Sequence, residues 1–129
     1  MPLGGLDHVT VLSDDLEATR AFYCNVLGLT EGRRPDLGFP GYWLYCEGRA
    51  VVHLVDREGQ LAENRRGDYS PGGAALDHVA FHGRDASEVV SRLRAHHIAY
   101  RENHIAEIGL RQLFVRDPNG IMIEMNFRN

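Results

Sequence analysis

"GLDHVTVL" (Gly5–Leu12) and "ALDHVAFH" (Ala75–His82) set the same tetrapeptide, Leu-Asp-His-Val, into two alternating apolar stretches of one 129-residue chain. Alternation with period two reads as a strand with one face buried. A buried face accounts for the valines and leucines. It does not account for a histidine at the same place in both copies.

The repeat runs beyond four letters. Behind the first copy, "SDDLEATRAFYCNVLGL" places Asp14 and Glu17 at capping-box spacing and Ala18, Phe22 and Val26 along a helical stripe. Gly28 follows just past the helix end. Behind the second, "GRDASEVVSRLRAHHI" repeats the capping spacing with Asp85 and Glu88, and Ala86, Val89, Val90 and Leu93 form the stripe. Each copy then offers further strand segments. "GYWLYCEGRAVVHLV" turns at Glu47-Gly48, and "LRQLFVRDPNGIMIEMNF" turns at Asp117-Pro118-Asn119-Gly120. The predicted fold is α+β: one domain of two βαβββ modules forming a curled mixed sheet. Module one covers about residues 4–56, a polar Gly-rich linker with Pro71 about 57–74, and module two about 75–128.

Size and composition exclude several classes. A chain of 129 residues is long enough for one domain with its own core, and 43% hydrophobic with 25% charged residues is ordinary for a globular protein. A formal charge of −4 argues against nucleic acid, and the pairs Arg33-Arg34 and Arg65-Arg66 read as solvated loops. Cys24 and Cys46 lack the spacing of a zinc or redox motif and read as small core residues. No apolar run approaches a membrane span and no secretory pattern opens the chain, so the expected location is cytoplasmic.

Strand alternation puts His8 on one face with Leu6 and Thr10, and His78 with Leu76, Ala80 and His82. His53 stands alone in "AVVHLV", and Glu124 alternates with Ile123 and Met125 in "IMIEMNF". Matching the hairpin turns of the modules sets His53 against Glu124, within one residue of the offset relating His8 to His78. Taken singly, each has a plain structural reading, a hydrogen-bonded strand histidine or a solvated carboxylate. Together, three imidazoles and a carboxylate from four strands form a donor set for a divalent transition metal: Fe, Zn, Ni, Mn or Co rather than Ca or Mg.

The duplicated "LDHV", the helix end "FYCNVLGL" and the terminal "FVRDPNGIMIEMNF" resemble the vicinal oxygen chelate superfamily. That group holds glyoxalase I, bleomycin- and fosfomycin-resistance proteins and extradiol dioxygenases. The resemblance implies sheets curled into a cup around one metal, with His8, His78 and Glu124 at ligand positions. It implies a small-molecule substrate with vicinal oxygens, a metal that stabilises an enolate or other oxyanion, and a homodimer sharing its sites. Glyoxalase I carries a glutamate where this chain has His53, so His53 stands as fourth ligand or as the proton-transfer group. Extradiol Fe(II) dioxygenases carry a histidine near that point. They also carry a tyrosine about ten residues before the last glutamate, where this chain has Phe114. Lyase or isomerase chemistry is the first expectation, a ring-cleaving dioxygenase the second, and a noncatalytic antibiotic-binding protein the third. The extradiol dioxygenases carry a further histidine upstream, for which His104 is the only nearby candidate. His82 either reaches the substrate or lies at the strand end, Arg111 either binds an anionic substrate group or is a surface arginine, and "RRPDLGFPGYWLY" is either a lid or a plain loop.

Overall fold

A computed structural model describes residues 2, 4–59 and 76–128. The predicted linker, with Arg65-Arg66 and Pro71, lies almost wholly outside the described residues. The chain divides into two compact units, Met1–Ser70 and Pro71–Asn129.

The first unit runs β1 (Val9–Ser13), α1 (Leu16–Ala21), β2 (Thr30–Gly32), β3 (Gly41–Cys46) and β4 (Arg49–Asp56). The second runs β5 (His78–His82), α2 (Ala86–Ala95), β6 (Arg101–Ile105), β7 (Leu110–Arg116) and β8 (Met122–Arg128). Each unit forms a four-stranded mixed sheet with its first strand parallel to its last, in the orders β1-β4-β3-β2 and β5-β8-β7-β6. The architecture is therefore α+β, written twice, with neither sheet closed into a barrel.

Register makes the duplication exact at residue level. Thr10 pairs with His53 across β1 and β4, and Ala80 pairs with Glu124 across β5 and β8. His8 and His78 each stand two residues earlier on the first member of the pair. The alignment read from the hairpin turns thus coincides with strand pairing.

One face of each sheet is apolar and buried. Leu44, Val52 and Leu54 in the first unit, and Leu93, Leu113, Val115 and Ile123 in the second, are at most 2% exposed. Each contributes roughly 1.5–3 kcal/mol through burial. The opposite faces carry His53 and Glu124, because side chains alternate along a strand.

Three local expectations need correction. Asp15, not Asp14, caps α1, accepting from the Ala18 amide at 3.0 Å, and the buried stripe becomes Thr19, Phe22, Tyr23 and Val26 while Ala18 is exposed. The cause is a later start: Asp15 keeps a non-helical φ of −139°, so the helix begins at Leu16, and a π-helical turn over Phe22–Val26, closed by the Leu27 amide on the Phe22 carbonyl, follows it. Gly28 follows with φ of 85° and ends the helix as its lack of a Cβ allows. Cys46 is exposed and Cys24 half-buried, rather than core, because Cys46 abuts the Glu47–Gly48 hairpin tip. No helix among the described residues is long and apolar enough to cross a membrane.

Candidate metal centre

The four residues appear as two pairs, one in each unit. In the first, the His8 and His53 rings stack with centroids 3.7 Å apart and planes inclined by 10°. Trp43, the partner of His53 across β3 and β4, stacks on the other side at 4.1 Å and 14°. His53 Nε2 lies 3.1 Å from the Ala50 carbonyl. A carbonyl only accepts, so Nε2 carries the proton and Nδ1 carries the lone pair. Burial, and next the neighbouring His8, hold the His53 imidazole below its ordinary value of 6.5. A neutral ring with a bare Nδ1 is the state a general base needs.

In the second unit, His78 Nε2 lies 3.4 Å from Glu124 Oε1. His78 Nδ1 is 2.8 Å from the Asp77 carboxylate, which fixes the Nδ1 proton. In the neutral ring a bare Nε2 then faces a carboxylate oxygen, acceptor against acceptor. That pair of donors suits a shared cation. The hydrogen bond to Asp77, then the Glu124 charge, raise the His78 imidazole above 6.5. His78 Nε2 and Glu124 Oε1 would serve as donors to a divalent ion once unprotonated.

Glu124 is held by a line of amides on its own face. Asn103 donates to Gln112 at 2.9 Å, Gln112 to Asn126 at 3.1 Å, and Asn126 to Glu124 Oε2 at 2.8 Å. With Oε2 engaged and the side chain only 13% exposed, Oε1 is the oxygen turned to His78. The sequence reading missed this line. Its signal was Asn126, two residues beyond Glu124 and hence on the same strand face.

Other sequence candidates fall elsewhere. Arg111 donates to Glu102 and alternates with Gln112 and Phe114, so it points away from the Glu124 face. His104 is exposed on β6, 3.8 Å from Glu102. His82 shares the His78 face and pairs with Asn126 at the strand end. Trp43 stands on the His53 face, whereas Tyr42 faces α1 and bonds Glu17. In the loop before β3, Arg34 donates to the Phe39 carbonyl and lies over its ring.

Imidazole nitrogen with carboxylate oxygen is a donor set for a divalent transition metal. Among the described residues no three His, Cys, Asp or Glu side chains gather at one point, so each unit by itself presents two of the four groups. The family model of the Glyoxalase/Bleomycin resistance protein/Dioxygenase superfamily matches residues 5–125. The chain belongs to that superfamily. Among its relatives, Glyoxylase I 4 of Arabidopsis thaliana is 32% identical over 126 residues, covering 95% of this chain and 70% of that protein. MhqA of Bacillus subtilis, provisionally named a ring-cleaving dioxygenase, is 30% identical over 132 residues, covering 95% of this chain and 39% of its own length. The crystal structure of lactoylglutathione lyase from Agrobacterium tumefaciens superposes with a TM-score of 0.74 at 24% identity, covering 98% of this chain and 96% of the other. That likeness speaks for the fold. The relatives to which this chain is similar thus bear the names of a glyoxylase and, provisionally, of a ring-cleaving dioxygenase.

Proposed function

We propose that the protein is a divalent-metal-dependent enzyme of glyoxalase type, a lyase or isomerase acting on a small molecule with two neighbouring oxygens. The observation that carries this is His78 Nε2 standing 3.4 Å from Glu124 Oε1 while its Nδ1 is hydrogen-bonded to Asp77. His8, His78 and Glu124 would hold the ion; Fe, Zn, Ni, Mn and Co all suit that set. A bound ion supplies Lewis-acid stabilisation of the negative charge that develops on a substrate oxygen.

His53 takes the other role. An imidazole binds metal in its own ring plane at about 2.0–2.1 Å. Stacked rings stay roughly 3.5 Å apart, the separation of atoms in van der Waals contact. His8, rather than the ring stacked on it, would hold the ion, and His53 would be left for proton transfer. His53 Nδ1 is the proton-transfer atom: it removes a proton beside the chelating oxygens and returns it to the neighbouring carbon. Trp43 and His8 keep the ring flat between them, and the Ala50 carbonyl keeps Nδ1 unprotonated.

One observation favours a second reading, an extradiol Fe(II) dioxygenase. With His53 set apart, two histidines and one carboxylate remain, a set that suits non-haem iron. Against it stands Phe114, the cross-strand partner of Glu124, where a tyrosine would be expected. Metal analysis of anaerobically purified protein separates the readings. Zinc, nickel or manganese without oxygen uptake supports the lyase or isomerase. Iron with catechol-dependent oxygen uptake supports the dioxygenase. No metal under metal-replete conditions leaves the noncatalytic binder and overturns both.

A further inference from the structure

The aspartate written into both "LDHV" copies has no part in the donor set above. Asp7 and Asp77 are largely exposed, with side chains 85% and 93% accessible, and neither contributes to a core. Yet each does the same thing in its own unit. Asp7 Oδ2 lies 2.6 Å from His8 Nδ1, and Asp77 Oδ2 lies 2.8 Å from His78 Nδ1. An ionised carboxylate only accepts, so both imidazoles carry their proton on Nδ1. A free histidine side chain prefers the opposite tautomer, with the proton on Nε2. Both aspartates therefore reverse an intrinsic preference and bare Nε2.

We propose that Asp7 and Asp77 are positioning residues that set the Nδ1–H tautomer of His8 and His78 so that Nε2 faces the metal. This rests on the metal reading above and assigns a role to residues outside the donor set. Two features in the second unit agree with it. Glu124 Oε1 approaches His78 on Nε2 and not on Nδ1, so the nitrogen bared by Asp77 is the one beside the second donor. His78 is also the first residue of its strand, so no preceding ladder residue restrains the ring and the adjacent aspartate supplies the restraint. His8 precedes β1 by one residue and has the same need. Among the described residues no hydrogen bond engages His8 Nε2, which leaves that nitrogen available.

The test reads the tautomer directly. Metal-free, nitrogen-15-labelled protein, held above the histidine titration range, gives ring-nitrogen shifts that distinguish the two tautomers. Wild type is expected to show protonated Nδ1 and bare Nε2 for His8 and His78. Asp7→Ala and Asp77→Ala are each expected to move their own histidine to the Nε2–H form and to weaken zinc binding roughly 10- to 100-fold. Asp7→Asn and Asp77→Asn keep a carbonyl acceptor for Nδ1–H and should restore the tautomer and most of the affinity. Alanine variants that keep the wild-type tautomer and zinc affinity overturn the role of the aspartates while leaving the donor set intact. A wild type that binds no zinc, iron, nickel, manganese or cobalt overturns the metal reading and this role with it.

Discussion

His8 and His53 lie face to face, 3.7 Å between ring centroids, and that contact supports the proposal that one is a ligand and the other a base. In that proposal His8 would hold the ion and His53 would move the proton. His53→Gln is therefore expected to keep its bound metal and lose most turnover, with kcat falling roughly 10²- to 10⁴-fold once a substrate is in hand. His8→Ala should lose the metal. Metal content of the two variants, measured side by side, checks the assignment; metal lost from His53→Gln would make His53 a ligand.

The His78–Glu124 contact carries its own expectation. His78→Ala or Glu124→Ala removes one donor but leaves the sheet, whose core lies on the other face. Both variants should fold and bind little metal. Asn126→Ala frees Glu124 Oε2 from its amide partner and should weaken affinity by roughly tenfold, since it disturbs a ligand without removing it. Equal metal content across wild type and these variants would defeat the site.

Much of this was legible in the chain. The alternation around Val9 and Val79 and the turns at Glu47-Gly48 and Asp117–Gly120 carry the duplicated topology, because strand period and turn chemistry are local. Glu124 was legible as a candidate because it is a lone carboxylate in an apolar strand segment, at the position that the hairpin turns match to His53. The π-helical turn at Phe22–Val26 was not, since an i→i+5 hydrogen bond leaves no mark in apolar spacing. Nor was the stacking of His53 between His8 and Trp43, which depends on register between three strands. The role of His53 stayed open in the sequence for that reason.

The depressed His53 imidazole gives a pH dependence with a definite sign. As pH falls below 6.5 the unfolded chain takes up this proton before the folded one does. Stability is then lost until the folded group also titrates. His78 acts in the opposite sense: its raised value contributes stability below 6.5 that is lost as pH rises through its folded value. The comparison must therefore be made by difference. Urea unfolding of metal-free wild type and His53→Gln between neutral pH and the folded His53 range should show a smaller acid loss in the variant. A wild type that loses no more stability than the variant would refute the shift.

Gly83 gives a structural expectation free of any metal. A Cβ built there would stand 2.1 Å from Cε1 of Phe127, a core ring only 7% exposed. Gly83→Ala should cost about 1–3 kcal/mol as the ring is pushed off its rotamer. Phe127→Leu combined with it removes the clash, so the double variant should be more stable than the two single losses added together. Additive losses in urea unfolding would show that the ring is not what meets the new methyl.

The last expectation concerns assembly, and it follows from how the donors are divided. His8 and His53 belong to one unit, His78 and Glu124 to the other. The proposed donor set would take one copy of each unit, from one chain or from two. We propose a homodimer that shares its sites. Leu6 and Leu76, the leucines of the two "LDHV" copies, are 81% and 62% exposed, and β1 and β5 each end a sheet. Exposed apolar residues beside an edge strand favour association with a partner. Two inactive variants test it, His8→Ala/His53→Ala and His78→Ala/Glu124→Ala, unfolded together and refolded. If sites are shared, a mixed dimer rebuilds one intact site from its two unmutated units, and random pairing returns roughly a quarter of the wild-type metal. If each site lies within one chain, every site keeps a double lesion and none returns. Sedimentation as a monomer would end the dimer proposal outright, while the four-residue donor set would still stand on the metal content of the single variants.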